Sequence, residues 1–488
     1  MKRTISITVL LCLLLCSGCF KHDDDNAWKN LSEDEQTLYF LNEFGFNMMN
    51  TYYLWNKEIK DGVDSWRYNV DPISKVYELR YKDEQGKAVD KWTVMTDDYE
   101  AFQGKVSGNT KSTGMDFALF YSDETKRHVV LVVTYTYPGS PAAQAGLKRC
   151  DKIVAMNDNL LTPENYKLLL NSTLLGGGST TLTMDDGKEI SLAAKQMYLD
   201  PVNCHKVIEK DGRKIGYLHY TSFTLNSCEK LVEVFKEFKK ADITELVLDL
   251  RYKAGGYSLT SEVLASMIVP VKEIDNGSVF QRDIYNSILT EAWGEEKSIF
   301  QTDFDISDDS SSKHTVSTAG ANPNISKLHV IMTGNSASAS ESTVCGLLPY
   351  MNIDIVGERS YGKFCGGFIV DGPTWYKWIK DDIDKDHYDS GVEHTANWGI
   401  YVMVSRYADK DGNTASMPDG IAPDIMVSDN PLDGYQLGDE NETMLYVAIN
   451  GKLPESGPAP ASLGRGRPVM MESQLSRPAL RIIPGKLL

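Results

Sequence analysis

Lys327-Leu328-His329-Val330-Ile331-Met332-Thr333-Gly334-Asn335-Ser336-Ala337-Ser338-Ala339-Ser340-Glu341 is the stretch on which the fold turns. Its first six residues form an apolar run of strand length, bounded by a Thr-Gly-Asn turn signal and followed by a helix-forming segment. The serines therefore fall at a strand-to-helix turn. There the first N–H groups of the helix lack helical partners, and the helix dipole favours a developing negative charge. Such a position suits a nucleophile, although a hydroxyl still requires a base.

The same rhythm continues on both sides. Lys214 to Tyr220 reads as a strand, and Leu231, Val234, Phe235 and Phe238 mark the apolar face of a helix. Leu246-Val247-Leu248-Asp249-Leu250 is a buried strand, followed by Gly255-Gly256 and a helix to Ile268. Ile353 to Val356 is a further strand, and its turn carries Lys363. Strand–helix alternation of this kind predicts an α/β domain with a mostly parallel sheet and crossover helices. His219 and His329 lie within strands and read as core histidines. No histidine stands in an obvious partner motif, and a lysine can serve as the base if burial lowers its pKa toward neutrality. Taken alone, Lys363 is a solvated loop charge; beside the serine turn it becomes the candidate.

Upstream the texture is β-rich. His128 to Tyr135 is a β-branched strand, Tyr137-Pro138-Gly139-Ser140-Pro141 a turn, and two strands flank a hairpin at Asp185-Asp186-Gly187. Residues 30–108 open with Leu31-Ser32-Glu33-Asp34-Glu35, a helix start, and continue with Leu38, Leu41, Phe44 and Met48 near helical spacing. Gln301 to Asn324 is polar and reads as a long loop, and its acids lack the pattern of a calcium loop. From about Pro454 the chain is rich in Pro, Gly, Ser and Arg and is expected to be partly disordered.

Composition narrows the function classes. The 488 residues are 42% hydrophobic and carry a net charge of −18, which argues against nucleic-acid binding and against electrostatic docking on anionic lipid. Lys2 and Arg3 precede an apolar run from Ile5 to Cys16, too short to remain as a spanning helix. Cys16-Ser17-Gly18-Cys19 then resembles a bacterial lipoprotein signal, which implies acylation at Cys19 and a membrane anchor in the cell envelope; an ordinary secretory leader cleaved nearby is the alternative. The five cysteines beyond the leader form neither a disulfide framework nor a zinc pattern.

Two segments carry a family resemblance. Pro138-Gly139-Ser140-Pro141-Ala142-Ala143-Gln144-Ala145-Gly146-Leu147-Lys148-Arg149-Cys150-Asp151 resembles the circularly permuted bacterial PDZ domain, with Cys150 where a glycine is usual. This resemblance implies a peptide-binding loop at Gly114, Met115, Asp116 and Phe117, where Asp116 is an awkward neighbour for a peptide carboxylate. Ser336-Ala337-Ser338-Ala339-Ser340-Glu341, with Lys363 twenty-five residues after Ser338, resembles the carboxy-terminal processing peptidases. Asp249-Leu250-Arg251-Tyr252-Lys253-Ala254-Gly255-Gly256 matches a further motif of that family.

The resemblance implies a catalytic domain of ClpP/crotonase type, with Ser338 as nucleophile and Lys363 as general base. It places the oxyanion donors at Gly255, Gly256 and Ala339. The implied substrate is a protein or peptide, and the chemistry requires no metal or organic cofactor. Departures are Lys253 for asparagine, Phe364-Cys365 after the lysine, Gly367 where some members have glutamine, and Pro349 where others have aspartate. The group orienting Lys363 is therefore open, and Glu341 reads as a cap or brace.

The expected organisation is a leader at 1–19, a tether at 20–29 and a small, mostly helical N-terminal domain at 30–108. A PDZ-like domain at 109–198, a Ser/Lys peptidase domain at 199–432 and a C-terminal extension at 433–488 follow. A non-catalytic peptide-binding protein on the same scaffold is the alternative function. The sequence leaves the oligomeric state open.

Overall fold

The computed structural model describes residues 26–252, 255–307, 313–454, 469–470 and 480–482. The leader with Cys19, the tether up to residue 25, Lys253 and most of the Pro-rich tail lie outside the described residues.

The strand–helix rhythm produces a six-stranded sheet. Its order is Val202–Lys210, Arg213–Tyr220, Glu245–Asp249, Lys327–Met332, Ile353–Gly357 and Ile425–Met426. The first pair is antiparallel and every later pair parallel, with Leu248 beside Val330 and Val330 beside Ile355. Both faces are covered, as a parallel sheet requires. Leu231, Phe235, Leu264, Leu328 and Val344 pack on one side, while Tyr217, Val247, Ile331, Leu445 and Ala448 pack on the other. The helix Thr443–Asn450 supplies that second layer, so the start of the C-terminal extension is part of the compact body.

A second sheet holds Val279–Tyr285, Glu296–Ile299, Cys365–Asp371 and Gly399–Ala408. Here the N-terminal residues differ from a free-standing unit. Their helices Glu33–Asn47, Pro72–Leu79 and Tyr99–Ser107 share one apolar core with this sheet, joining Phe40, Phe44, Trp66 and Trp92 to Phe368, Tyr376 and Tyr401. The strand Val94–Thr96 enters the sheet directly, with Val94 opposite Tyr401.

The β-rich segment folds as an antiparallel sheet of Met115–Tyr121, Val129–Thr136, Lys152–Met156, Ser179–Met184 and Glu189–Ala193 around Leu119, Leu131, Val133, Ile153 and Leu182. Cys150 keeps the conformation of the glycine it stands for, with φ of 79°. The expected long loop at 301–324 is corrected: Asp303–Ser307 and Lys313–Ser317 pair as a hairpin, and Phe304, Ile306 and Val316 bury against the main core. Alternate residues there are apolar, a strand signal diluted by the surrounding Ser and Asp.

Candidate active site

Three neighbouring parallel strands end at Asp249, Met332 and Gly357, and ligand sites in α/β sheets form beyond such carboxyl ends. The turns leaving them carry Gly255-Gly256, Ser338 and Lys363. Adjacent strand ends thus collect three sequence-distant motifs.

Ser338 is fully buried and precedes the helix Ala339–Leu347. Its backbone has φ of 59° and ψ of −109°, a conformation costly for a side-chain-bearing residue and held by the surrounding structure. Its neighbours supply that hold. Ser336 Oγ donates to Leu250 O at 2.8 Å and accepts from Thr333 N–H at 2.9 Å, and Thr333 Oγ1 donates to Arg251 O. Among the described residues Ser338 Oγ has no hydrogen-bond partner.

Lys363 is likewise fully buried. Its Nζ donates to Tyr401 Oη at 2.8 Å and lies 4.8 Å from the Tyr401 ring centre and 5.3 Å from that of Trp92. Asp90 fixes the turn bearing Trp92 by accepting from Trp92 N–H at 2.8 Å and Thr93 N–H at 3.0 Å. Tyr53 Oη in turn donates to Asp90 at 2.7 Å. The N-terminal segment therefore builds one wall of the lysine pocket.

Glu341 joins the two candidates. Its Oε2 accepts from Ser338 N–H at 2.8 Å and from Lys363 N–H at 2.9 Å. Its Oε1 accepts from Gly362 N–H at 2.7 Å and from Ser360 Oγ at 2.5 Å. Burial pushes this carboxyl up to about 7, while the hydrogen bonds from Ser360, Gly362, Ser338 and Lys363 pull it back down. Cap and brace are thus the same residue: one carboxylate fixes both turns.

Gly256 has φ of 147°, and a Cβ there would lie 2.3 Å from Phe223 O, so glycine alone fits. Phe223 N–H donates to Gly255 O at 3.2 Å, and Tyr257 N–H donates to Phe223 O at 2.8 Å. Gly256's own N–H and C=O consequently face the opposite edge. Ala339 opens its helix, where first-turn N–H groups have no helical acceptor.

The Asp249-Leu250-Arg251 segment serves a buried charge network. Arg251 binds Asp249 at 2.8 Å and Glu442 at 2.6 Å, and it shares Asp429 with Arg149, each at 2.9 Å. Arg149 belongs to the β-rich segment and also donates to Tyr252 Oη at 2.6 Å. Burial opposes the charge on Asp429, yet Arg149 and Arg251 outweigh it and hold the carboxyl down at about 2.

At the expected peptide loop, Asp116 accepts from Phe117 N–H at 2.7 Å and Ser112 Oγ accepts from Gly114 N–H at 2.9 Å. Two N–H groups of that loop are thereby already engaged. Met115 and Phe117 pack partly buried on the core of this sheet.

Tyr401 and Trp92 lie in no motif that marks them as site residues, and no role is read from the sequence for Ser360 or Arg149.

Residues 214–427 match the model of peptidase family S41. The carboxy-terminal processing protease CtpB of Bacillus subtilis is 25% identical over 351 residues, covering 67% of this chain and 67% of that protein. The carboxyl-terminal-processing protease of a Picosynechococcus strain is 23% identical over 390 residues, covering 76% and 80%. Among solved structures, a Bacteroides fragilis chain assigned to the S41 proteases superposes with a TM-score of 0.62 at 19% identity, over 83% of this chain and 95% of its own. That last likeness is one of fold.

Proposed function

With residues 214–427 a peptidase family S41 domain, we propose that this serine endopeptidase works through Ser338 as nucleophile and Lys363 as general base. The observation that carries the reading is the Glu341 oxygen shared by the main-chain N–H groups of Ser338 and Lys363. It ties a strained serine and a buried lysine, from different turns, into one site.

In this mechanism neutral Lys363 takes the proton from Ser338 Oγ as that oxygen bonds to the scissile carbonyl carbon. N–H groups of Gly255 or Gly256 and of Ala339 stabilise the oxyanion, where loss of one donor typically costs about 10²–10³ in rate. The Lys363 ammonium then protonates the leaving amine as the C–N bond breaks. Water, deprotonated by Lys363, releases the acid and restores Ser338. Tyr401 and Trp92 hold the lysine end in a dry pocket.

The catalytic domain is read as ClpP/crotonase type, and the segment 109–198 as a PDZ-like module adding a peptide strand to its edge. The leader at Cys19 is read as a lipid anchor in the bacterial cell envelope. Substrates are polypeptides, cut close to their C-termini on the example of the relatives' names. The second reading, a peptide-binding protein without turnover, is favoured by the unpartnered Ser338 Oγ.

The test is labelling of the protein lacking its first 25 residues by a fluorophosphonate probe, with and without casein. Ser338→Ala and Lys363→Ala are run beside it, and the fold of each is checked by circular dichroism. Labelling and casein cleavage that disappear in both variants are expected. A folded wild type inert under every condition would leave the binding reading.

A further inference from the structure

The sheet behind Lys363 contains one strand from the far end of the chain. Leu480–Ile482 runs parallel to Gly255–Tyr257, with Leu480 beside Gly255, Arg481 beside Gly256 and Ile482 beside Tyr257. Its other edge meets Gly367, four residues after Lys363. In sheet order this segment sits between Gly255–Tyr257 and Cys365–Asp371. The catalytic turns therefore frame a slot one strand wide, with neighbours about 4.8 Å away on each side. Phe223 has consumed Gly255 O and Tyr257 N–H, so the edge Gly256 presents is the one this tail strand takes.

A second contact lies upstream on the same tail. Val469–Met470 pairs antiparallel with Tyr121 and Phe120, on the outer strand of the β-rich sheet. That strand, Met115–Tyr121, starts at the expected peptide loop. Adding a strand to such an edge is how peptide modules hold extended ligands. From Met470 to Leu480 are ten residue steps, which extended chain can stretch to about 35 Å. Both grooves are thus within reach of one polypeptide. Charge agrees: residues 455–488 hold Arg465, Arg467, Arg477, Arg481 and Lys486 against only Glu455 and Glu472, in a chain of net charge −18.

We propose that the C-terminal tail of the chain is an intramolecular occupant of the substrate path, seated on the edge at Phe120–Tyr121 and in the slot beside Gly255–Tyr257, and that it competes there with polypeptide substrates. The inference rests on the peptidase reading and adds to it a binding mode: an extended substrate running parallel to Gly255–Tyr257. Inhibition of this kind raises the apparent KM and leaves kcat unchanged, because the occupant and the substrate exclude one another.

The experiment compares the protein lacking its first 25 residues with the same protein ended after Pro454. Hydrolysis of a quenched fluorescent casein peptide is measured for both. Removal of the tail is expected to lower KM at least 5-fold at similar kcat. A synthetic peptide of residues 455–488, added in trans, should inhibit the shortened form competitively. Ile482→Pro in the full chain, which removes the N–H that the parallel register turns toward Gly256 C=O, should act in the same direction as truncation. Equal KM values in all forms would overturn the proposal. Binding of the labelled 455–488 peptide to the shortened Ser338→Ala protein, read by fluorescence anisotropy, needs no turnover. If no form cleaves or labels, the peptidase reading falls, and the anisotropy decides the tail separately: saturable binding lost on adding unlabelled peptide sustains occupancy, and absence of binding ends it.

Discussion

Lys363 Nζ and Tyr401 Oη are 2.8 Å apart, which fixes the end of the candidate base on the strand Gly399–Ala408. Gly367 and Pro349, at the positions where the resemblance implies glutamine in some members and aspartate in others, offer no polar side chain. Tyr401 is therefore the positioning residue we assign. Tyr401→Phe should reduce kcat by about 10- to 100-fold, with KM within two-fold of wild type. Tyr401→Ala, which also strips the ring from the lysine, should lose more. Steady-state kinetics on a casein peptide checks both.

Glu341 gives a pH dependence of definite sign. Its ordinary value of 4.5 rises to about 7 on folding, so the folded protein holds a proton that the unfolded chain has released between those values. Stability from this group is complete below pH 4.5 and lost as pH climbs through 7, by roughly 3 kcal/mol in total. Urea unfolding of wild type against Glu341→Gln at pH 5 and pH 8 should show the difference shrinking toward alkaline pH. Glu341→Gln should also cut activity about 100-fold, since an amide NH₂ would face N–H donors where a carboxylate oxygen now accepts two.

Arg149 is the charge by which the β-rich segment docks beside Tyr252. Arg149→Met leaves Asp429 and Glu442 short of a buried cation and should destabilise by about 3–5 kcal/mol. Adding Asp429→Asn should restore part of that loss, and thermal melts of the single and double variants measure the coupling.

Gly256→Ala drives a Cβ onto Phe223 O and forces an unfavourable φ. Loss of labelling is expected, together with a lowered melting temperature. Cys150→Gly is the converse case. Relief of a positive φ should stabilise by about 1 kcal/mol, visible as a few degrees in a melt.

The parts of this fold that could be read in the sequence were those with short-range signatures. Period and length identified the strands ending at Asp249, Met332 and Gly357, and the pairing of Ser338 with Lys363 came from the family resemblance of their motifs. The hairpin at 303–317 escaped because Ser and Asp mask its alternation. Trp92 and Tyr401 escaped for another reason. An apolar face announces that it will be covered, and nothing in its own pattern says by which segment. The N-terminal helices read as a domain of their own, yet they share one core with the Gly399–Ala408 strand.

The hydrogen bond from Met403 N–H to Thr93 Oγ1 spans 310 residues of sequence. Trp92 and Tyr401, the two rings around Lys363, sit on the same pair of segments. Closing so long a loop comes late in assembly, since its entropy must be met before the contact rewards it. A chain whose last hundred residues are not yet in place could therefore form the serine turn while Lys363 still lacked the Tyr401 hydroxyl to which it donates in the folded protein.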